Sequence, residues 1–321
     1  TTQTTNTPTT TELATTTTTE LPITTPTEIP TTTTTELAST TTTAAPTTTT
    51  PESRPRQAWD VAYGPDSAHR LDILRGDTSN GLAVLWLHAG GWTSGDRTGT
   101  GPVVDQLIAD GAVVVSADYR LTPEHTFPAQ IHDAKRAIRW IKAHPADVPH
   151  RRLVVAGASA GGHLAALAAT SAGSLEPTDL PLELAAHDSS VDGAIALSGP
   201  MDLTRFWQSE HPWAKPLSDG FLASDSAECD PTRMREASPT HWVDPADPPL
   251  FLAAGTADEL VTAADNADRM WDTIQAEGDA ARCRYDRVEG GTHNLWDNLD
   301  LTELQQFLVG FDLVPADPAA G

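Results

Sequence analysis

The chain is 321 residues long with 39% hydrophobic residues, and its 44 acidic side chains against 20 basic ones leave a formal net charge of −24. That balance disfavours nucleic acid and anionic membrane surfaces as partners, because association with a polyanion relies on Lys and Arg to displace condensed counterions. No apolar run approaches the ~18 residues that a membrane-spanning helix needs.

Threonine fills more than half of residues 1–50, with almost nothing aromatic, so this stretch cannot bury enough apolar surface to offset its ordering entropy. Within it Glu12, Glu20, Glu28 and Glu36 recur every eight residues, each preceded by Thr and followed by Leu or Ile and then Ala or Pro. This tandem octapeptide is too short in period and too poor in apolar residues for a solenoid. Residues 1–54 read as a disordered Thr-rich stalk or linker open to O-glycosylation, or as a tail without a partner. The chain starts at Thr1 rather than Met and carries no apolar signal-peptide core. With its Thr-rich arm it is expected to be a secreted or cell-surface product whose export signal lies outside this sequence. Cys229 and Cys283 fit either a single disulfide or two free thiols.

Residues 55–321 have the composition of one globular domain, large enough to hold together without disulfide or metal. Strand candidates follow at 59–63, 70–74, 82–87, 112–117, 153–156, 193–197, 250–254 and 282–288. Helical patterns separate them, as at 129–143, where Ile131, Ala134, Ile138 and Ile141 mark one face. Alternation of this kind predicts an α/β fold with a mainly parallel sheet, its most apolar strands covered on both faces. The interval 202–247 breaks the rhythm with scattered Trp, Pro and charge, and is read as an insertion able to act as a lid.

Gly157-Ala158-Ser159-Ala160-Gly161 fits G-x-S-x-G. An apolar strand at 153–156 enters it and a helix at 160–169 leaves it, the context a nucleophile elbow requires. A serine hydroxyl attacks poorly until a base takes its proton. His293 follows the last strand candidate and Asp258 the one before it, so both are expected at the same sheet edge as Ser159. The order Ser, Asp, His is that of the α/β-hydrolase arrangement. Asp258 could instead only cap a helix near Thr262, with Glu259 or Asp202 as the acid, and His163 is the competing histidine. An acyl-transfer site also needs donors for the oxyanion. His88-Ala89-Gly90-Gly91-Trp92 follows strand 82–87, and the amides of Gly90, Gly91 and Ala160 are the candidates. No H-E-x-x-H, ligand-spaced histidine cluster or Walker-type loop is present, so neither metal nor cofactor is expected.

From Trp59 onward the chain resembles compact bacterial esterases of the α/β-hydrolase superfamily, of the hormone-sensitive-lipase-like and feruloyl-esterase-like type. The resemblance rests on HAGGWTSGD at 88–96, ADYRLTP at 117–123, Phe127-Pro128 with Asp133, GASAGGH at 157–163, GTADELV at 255–261 and His293. It implies a serine carboxylesterase acting on short acyl or aryl esters, including acetyl or feruloyl esters of plant polysaccharides. An amidase or arylformamidase with the same triad, or a non-catalytic surface-binding module on a stalk, are the alternatives. Asp118, Tyr119 and Asp133 resemble positions that brace the site. Ala89 stands where the family carries glycine, which implies altered loop packing. The lead-in before His88 is too short for an amino-terminal helical cap, so cover must come from 202–247. Trp92, Trp207, Trp213 and Trp242 are the candidate substrate-contacting aromatics.

Overall fold

The computed structural model describes residues 56–223, 230–295 and 299–314; the Thr-rich arm with its repeat lies outside the described residues. Eight strands form one sheet: β1 (Arg56–Ala62), β2 (Arg70–Leu74), β3 (Leu82–Leu87), β4 (Val113–Ala117), β5 (Arg152–Ala158), β6 (Gly193–Leu197), β7 (Leu250–Gly255) and β8 (Arg284–Val288), in spatial order β1-β2-β4-β3-β5-β6-β7-β8. β1 and β2 pair antiparallel with each other, and β2 antiparallel with β4; every later pairing is parallel. The helices are α1 (Pro102–Ala109), α2 (Ala129–Ala143), α3 (Ala160–Thr170), α4 (Leu182–Ala185), α5 (Leu203–Gln208), α6 (Ala214–Leu222), α7 (Pro231–Glu236), α8 (Ala267–Glu277) and α9 (Leu301–Gly310). This is the α/β-hydrolase architecture expected from the alternation of strand and helix. None of the described helices is long and apolar enough to cross a membrane.

The continuous apolar character of the middle strands follows from burial on both faces. Leu85, Leu87, Val115, Val155 and Leu252 face one core layer with α2, α3 and α8. Their neighbours Val84, Trp86, Val114, Val154 and Phe251 face the other layer, with α1 and α9. Each such Val or Leu contributes on the order of 1.5–3 kcal/mol by leaving water. At the sheet edge β8 reads Arg-Tyr-Asp-Arg-Val and stays largely accessible, charge being a usual guard of an open edge. It starts later than the pattern at 282–288 suggests, because Ala280–Arg282 forms a 3₁₀ turn. Conversely β1 starts earlier than 59–63, its ladder with β2 being irregular.

The order of β4, β3 and β5 reverses the direction of chain progress. The connection through α1 steps from β3 to β4 on one side, and the connection through α2 returns past β3 to β5 on the other. Such a switch opens a crevice at the carboxyl ends of the two central strands. The 88–101 loop leaves β3 there and Ser159 leaves β5. Helix α3 lies close enough to close the crevice from below because its first turn lacks bulk: a Cβ on Gly161 would lie 2.0 Å from the Leu87 carbonyl oxygen. Cys283 is buried, which pushes its thiol pKa up, and has no disulfide partner among the described residues; its candidate partner Cys229 lies outside them.

Candidate active site

Ser159 sits at the turn between β5 and α3 with φ 54° and ψ −120°, a conformation costing on the order of 1–3 kcal/mol that its surroundings must impose. They do so from both sides. Its N–H donates to the Leu197 carbonyl at 2.8 Å, and its own carbonyl accepts from His163 N–H at 2.9 Å. The hydroxyl is thereby directed at the crevice, where its Oγ lies 3.0 Å from His293 Nε2. On the far side of the ring, Nδ1 lies 2.7 Å from Asp258 Oδ2. The second carboxylate oxygen, Oδ1, accepts from the N–H groups of Leu260 and Val261, both at 2.9 Å. The alternative reading of Asp258 as a helix cap is corrected: the next helix, α8, begins only at Ala267 with Asn266 before it, and Oδ1 closes a local turn while Oδ2 faces the imidazole. A carboxylate with no proton can only accept, so Nδ1 carries the hydrogen and Nε2 is left as an acceptor for the Ser159 hydroxyl.

The loops carrying Asp258 and His293 are bonded to one another. Thr256 N–H donates to the Val288 carbonyl at 3.0 Å and Ala257 N–H to the Gly291 carbonyl at 2.9 Å. Gly290 N–H donates to Thr256 Oγ1 at 2.8 Å. The rival acids lie elsewhere. Asp202 caps α5 through the N–H groups of Thr204 and Arg205 and pairs with Arg269, and Glu259 is exposed.

The 88–101 loop turns at Gly90, whose carbonyl accepts from both Thr93 and Ser94 N–H at 3.1 Å. Its φ is +125°, and a Cβ there would lie 2.0 Å from the Ser94 carbonyl oxygen, so only glycine fits. Among the described residues no acceptor takes the N–H of Gly90, Gly91 or Ala160, and all three residues line a cavity with Ser159 and His293. Beneath, the loop is tied to the sheet. Tyr119 Oη–H donates to the His88 carbonyl at 2.8 Å, and Thr122 N–H to the Trp92 carbonyl at 2.9 Å. Arg97 reaches Asp118 at 2.5 Å, Asp60 at 3.0 Å and Asp72 at 3.2 Å. Asp133 braces the next layer, gripping Arg120 at 2.7 Å and His69 at 2.8 Å. Ala89 is exposed and lines the cavity.

The cavity, about 360 Å³, has mainly apolar walls from Trp92, Pro200, Phe206, Leu217, Leu260 and Val261. Of the four tryptophans expected there, only Trp92 lines it, stacked at 4.3 Å on Phe221. Trp207 is turned away, its Nε1 donating to Asp219 at 2.8 Å, and Trp242 likewise donates to the Glu236 carbonyl at 2.8 Å. Trp213, the N-cap of α6, is exposed and lies outside the lining. Phe206 and Leu217 take those places; α5 is too short to show a period, and Pro216 and Gly220 interrupt that of α6. Among the described residues no group of three or more His, Cys, Asp or Glu is arranged to hold a metal ion.

His163 does not reach Ser159. It is buried with Nε2 bonded to the Ala237 carbonyl at 2.7 Å, which joins α3 to the 202–247 insertion. Burial lowers its pKa from the ordinary 6.5 to about 4. The native state thus binds fewer protons than the unfolded chain between those values, so the stability it contributes is complete above pH ~6.5 and falls as pH drops toward 4, by on the order of 3 kcal/mol. Asp247, pushed up to about 7 by burial, acts in the opposite sense over part of that range. The readout is therefore the difference in slope between two proteins. Plotted against pH from 7 to 4.5, the Tm of the wild type should fall more steeply than that of His163→Gln, and parallel curves would remove His163 as a cause.

Over 212 residues the chain is 32% identical to the probable carboxylic ester hydrolase LipM of Mycobacterium tuberculosis, covering 63% of this chain and 48% of that protein. Over 245 residues it is 31% identical to esterase LipQ of the same bacterium, covering 74% and 57%. The chain thus spans about half the length of these curated relatives. Among solved structures, Thermogutta terrifontis esterase 2 phosphonylated by sarin is similar with a TM-score of 0.66 at 25% identity, covering 83% of this chain and 97% of that one. Residues 71–269, well over half of the chain, match the BD-FAE family, and the chain belongs to it.

Proposed function

We propose that this chain is a serine carboxylesterase that hydrolyses short acyl or aryl esters, acetyl and feruloyl esters of polysaccharides among them, and acts outside the cell with residues 1–54 as a spacer. The observation that carries the reading is the unbroken relay Ser159 Oγ, His293 Nε2, His293 Nδ1, Asp258 Oδ2 at 3.0 and 2.7 Å, opening onto an apolar cavity edged by unpaired backbone N–H groups. The names of LipM, LipQ and the phosphonylated esterase agree with it.

Chemically, Ser159 Oγ attacks the ester carbonyl as its proton passes to His293 Nε2. The negative charge that develops on the carbonyl oxygen is met by the N–H groups of Gly90, Gly91 and Ala160, each such donor contributing about 10²–10³ in rate. Asp258 faces the imidazolium that forms and stabilises it. Collapse of the tetrahedral adduct expels the alcohol, which leaves with the proton from Nε2. Water then attacks the acyl-serine, gives its proton to Nε2, and the acid departs as Ser159 recovers its hydrogen. A fluorophosphonate probe should add once, on the peptide containing Ser159, and p-nitrophenyl acetate turnover should fall in step with labelling. Folded protein that neither takes the probe nor turns over the ester would be a binding module, and the proposal would fail.

A further inference from the structure

An ester has two halves, and the cavity suits only one of them. Its walls of Phe206, Leu217, Leu260 and Val261 offer no partner for a hydroxyl, and among the described residues the polar side-chain groups there besides Ser159 and His293 are Asn294 and the indole N–H of Trp92, which is buried. An acyl group fits those walls; a polyhydroxylated alcohol would lose its hydrogen bonds with water and regain few. The alcohol is therefore left at the mouth, and what lies beside the mouth decides which alcohols are held.

Leu217 carries the cavity wall on α6, so close to the 88–101 loop that a Cβ on Gly91 would meet its Cδ2 at 2.8 Å. One helical turn earlier, about 6 Å along the axis, stands Trp213, whose carbonyl accepts the Leu217 N–H at 3.1 Å. Positions four apart share a helix face, so Trp213 continues the ridge that Leu217 begins. Its indole is 64% exposed. The other two tryptophans of the insertion are tied down, Trp207 by Asp219 and by Lys215 Nζ at 4.2 Å above its ring, and Trp242 by the Glu236 carbonyl. Among the described residues nothing comparable holds the Trp213 side chain, and Ser209, Glu210 and His211, which precede Pro212 and Trp213, are polar.

We infer that Trp213 is the platform for a neutral pyranose ring, the alcohol half of the ester, an assignment that rests on the carboxylesterase reading above. The C–H face of a sugar ring carries slight positive charge and suits the electron-rich indole face, while the polar neighbours suit its hydroxyls. Glu210 and the net charge of −24 oppose an anionic alcohol.

The test compares kcat/KM for acetylated xylo-oligosaccharide, ethyl acetate and p-nitrophenyl acetate in the wild type, Trp213→Ala and Trp213→Phe. In Trp213→Ala the ratio of acetylated oligosaccharide to ethyl acetate should fall about tenfold, mostly through KM, and Trp213→Phe should recover most of it. An unchanged ratio, or an equal loss on p-nitrophenyl acetate marking a general apolar contact, would overturn the sugar assignment. So would a wild type that hydrolyses ethyl acetate but not the oligosaccharide. A wild type inert on all three esters would instead overturn the esterase reading beneath it.

Discussion

Ser159→Ala should lower kcat for ester hydrolysis by about 10⁶, and adding His293→Ala to it should cost almost nothing further. In the proposed mechanism the two side chains act as one device: with the hydroxyl gone, the imidazole has no proton to receive from it, so their effects cannot add. The backbone is expected to tolerate the change. Alanine at φ 54° carries the same strain as serine, and both backbone bonds that impose the turn, to Leu197 and from His163, survive it. The cavity and its N–H donors also remain, so a residual rate on the order of 10³–10⁴ above that in water should persist. Steady-state kinetics with thermal unfolding as the folding control measures all of this. Retention of more than about one hundredth of wild-type kcat, in protein free of contaminating esterase, would show that another group attacks the ester, against the large loss that a nucleophile demands.

The three residues that meet at this site were legible in the sequence because each answers to a local rule. Glycine beside the serine reports a turn too tight for a side chain, and the structure puts the Leu87 carbonyl where a Cβ on Gly161 would go. Strands β3 and β6 were readable to the residue since burial on both faces leaves no polar position to blur their ends, and α2 since its buried face repeats at helical spacing. Beyond Trp92, the walls of the cavity were not legible. Helices α5 and α7 have six residues each, too few for a periodicity to emerge, and α6, whose Ala214, Leu217, Phe221 and Leu222 do fall at helical spacing, is interrupted by Pro216 and Gly220. Pro216 inside α6 reads as a helix breaker. It is tolerated because it lies in the first turn, where the missing N–H would have had no partner within the helix. Which face of so short a helix turns inward depends on what it packs against, and that is why Phe206 and Leu217 were missed while Trp207 and Trp242, candidates as aromatics of the insertion, are packed away.

Asp258→Asn should reduce kcat by about 10⁴ with little change in stability. The size of the effect follows from the second oxygen of the carboxylate. Oδ1 accepts from two backbone N–H groups, those of Leu260 and Val261. An asparagine can keep those bonds only by presenting its carbonyl oxygen to them, since its amino group would set donors against donors. The amino group is then forced toward His293, where the carboxylate had accepted from Nδ1 at 2.7 Å. Facing a donor, Nδ1 must become the acceptor and the ring hydrogen moves to Nε2. Nε2–H and the Ser159 hydroxyl are now two donors 3.0 Å apart, and the base can no longer take the proton. The turn bonds are retained, so Tm should stay near that of the wild type, whereas Asp258→Ala loses both bonds and should also lower Tm, each buried N–H left unpaired costing about 1–3 kcal/mol. Nitrogen chemical shifts of His293 report the tautomer directly. If Asp258→Asn keeps the hydrogen on Nδ1, or retains kcat within tenfold of the wild type, then Asp258 serves only to close its turn and another group orients the imidazole.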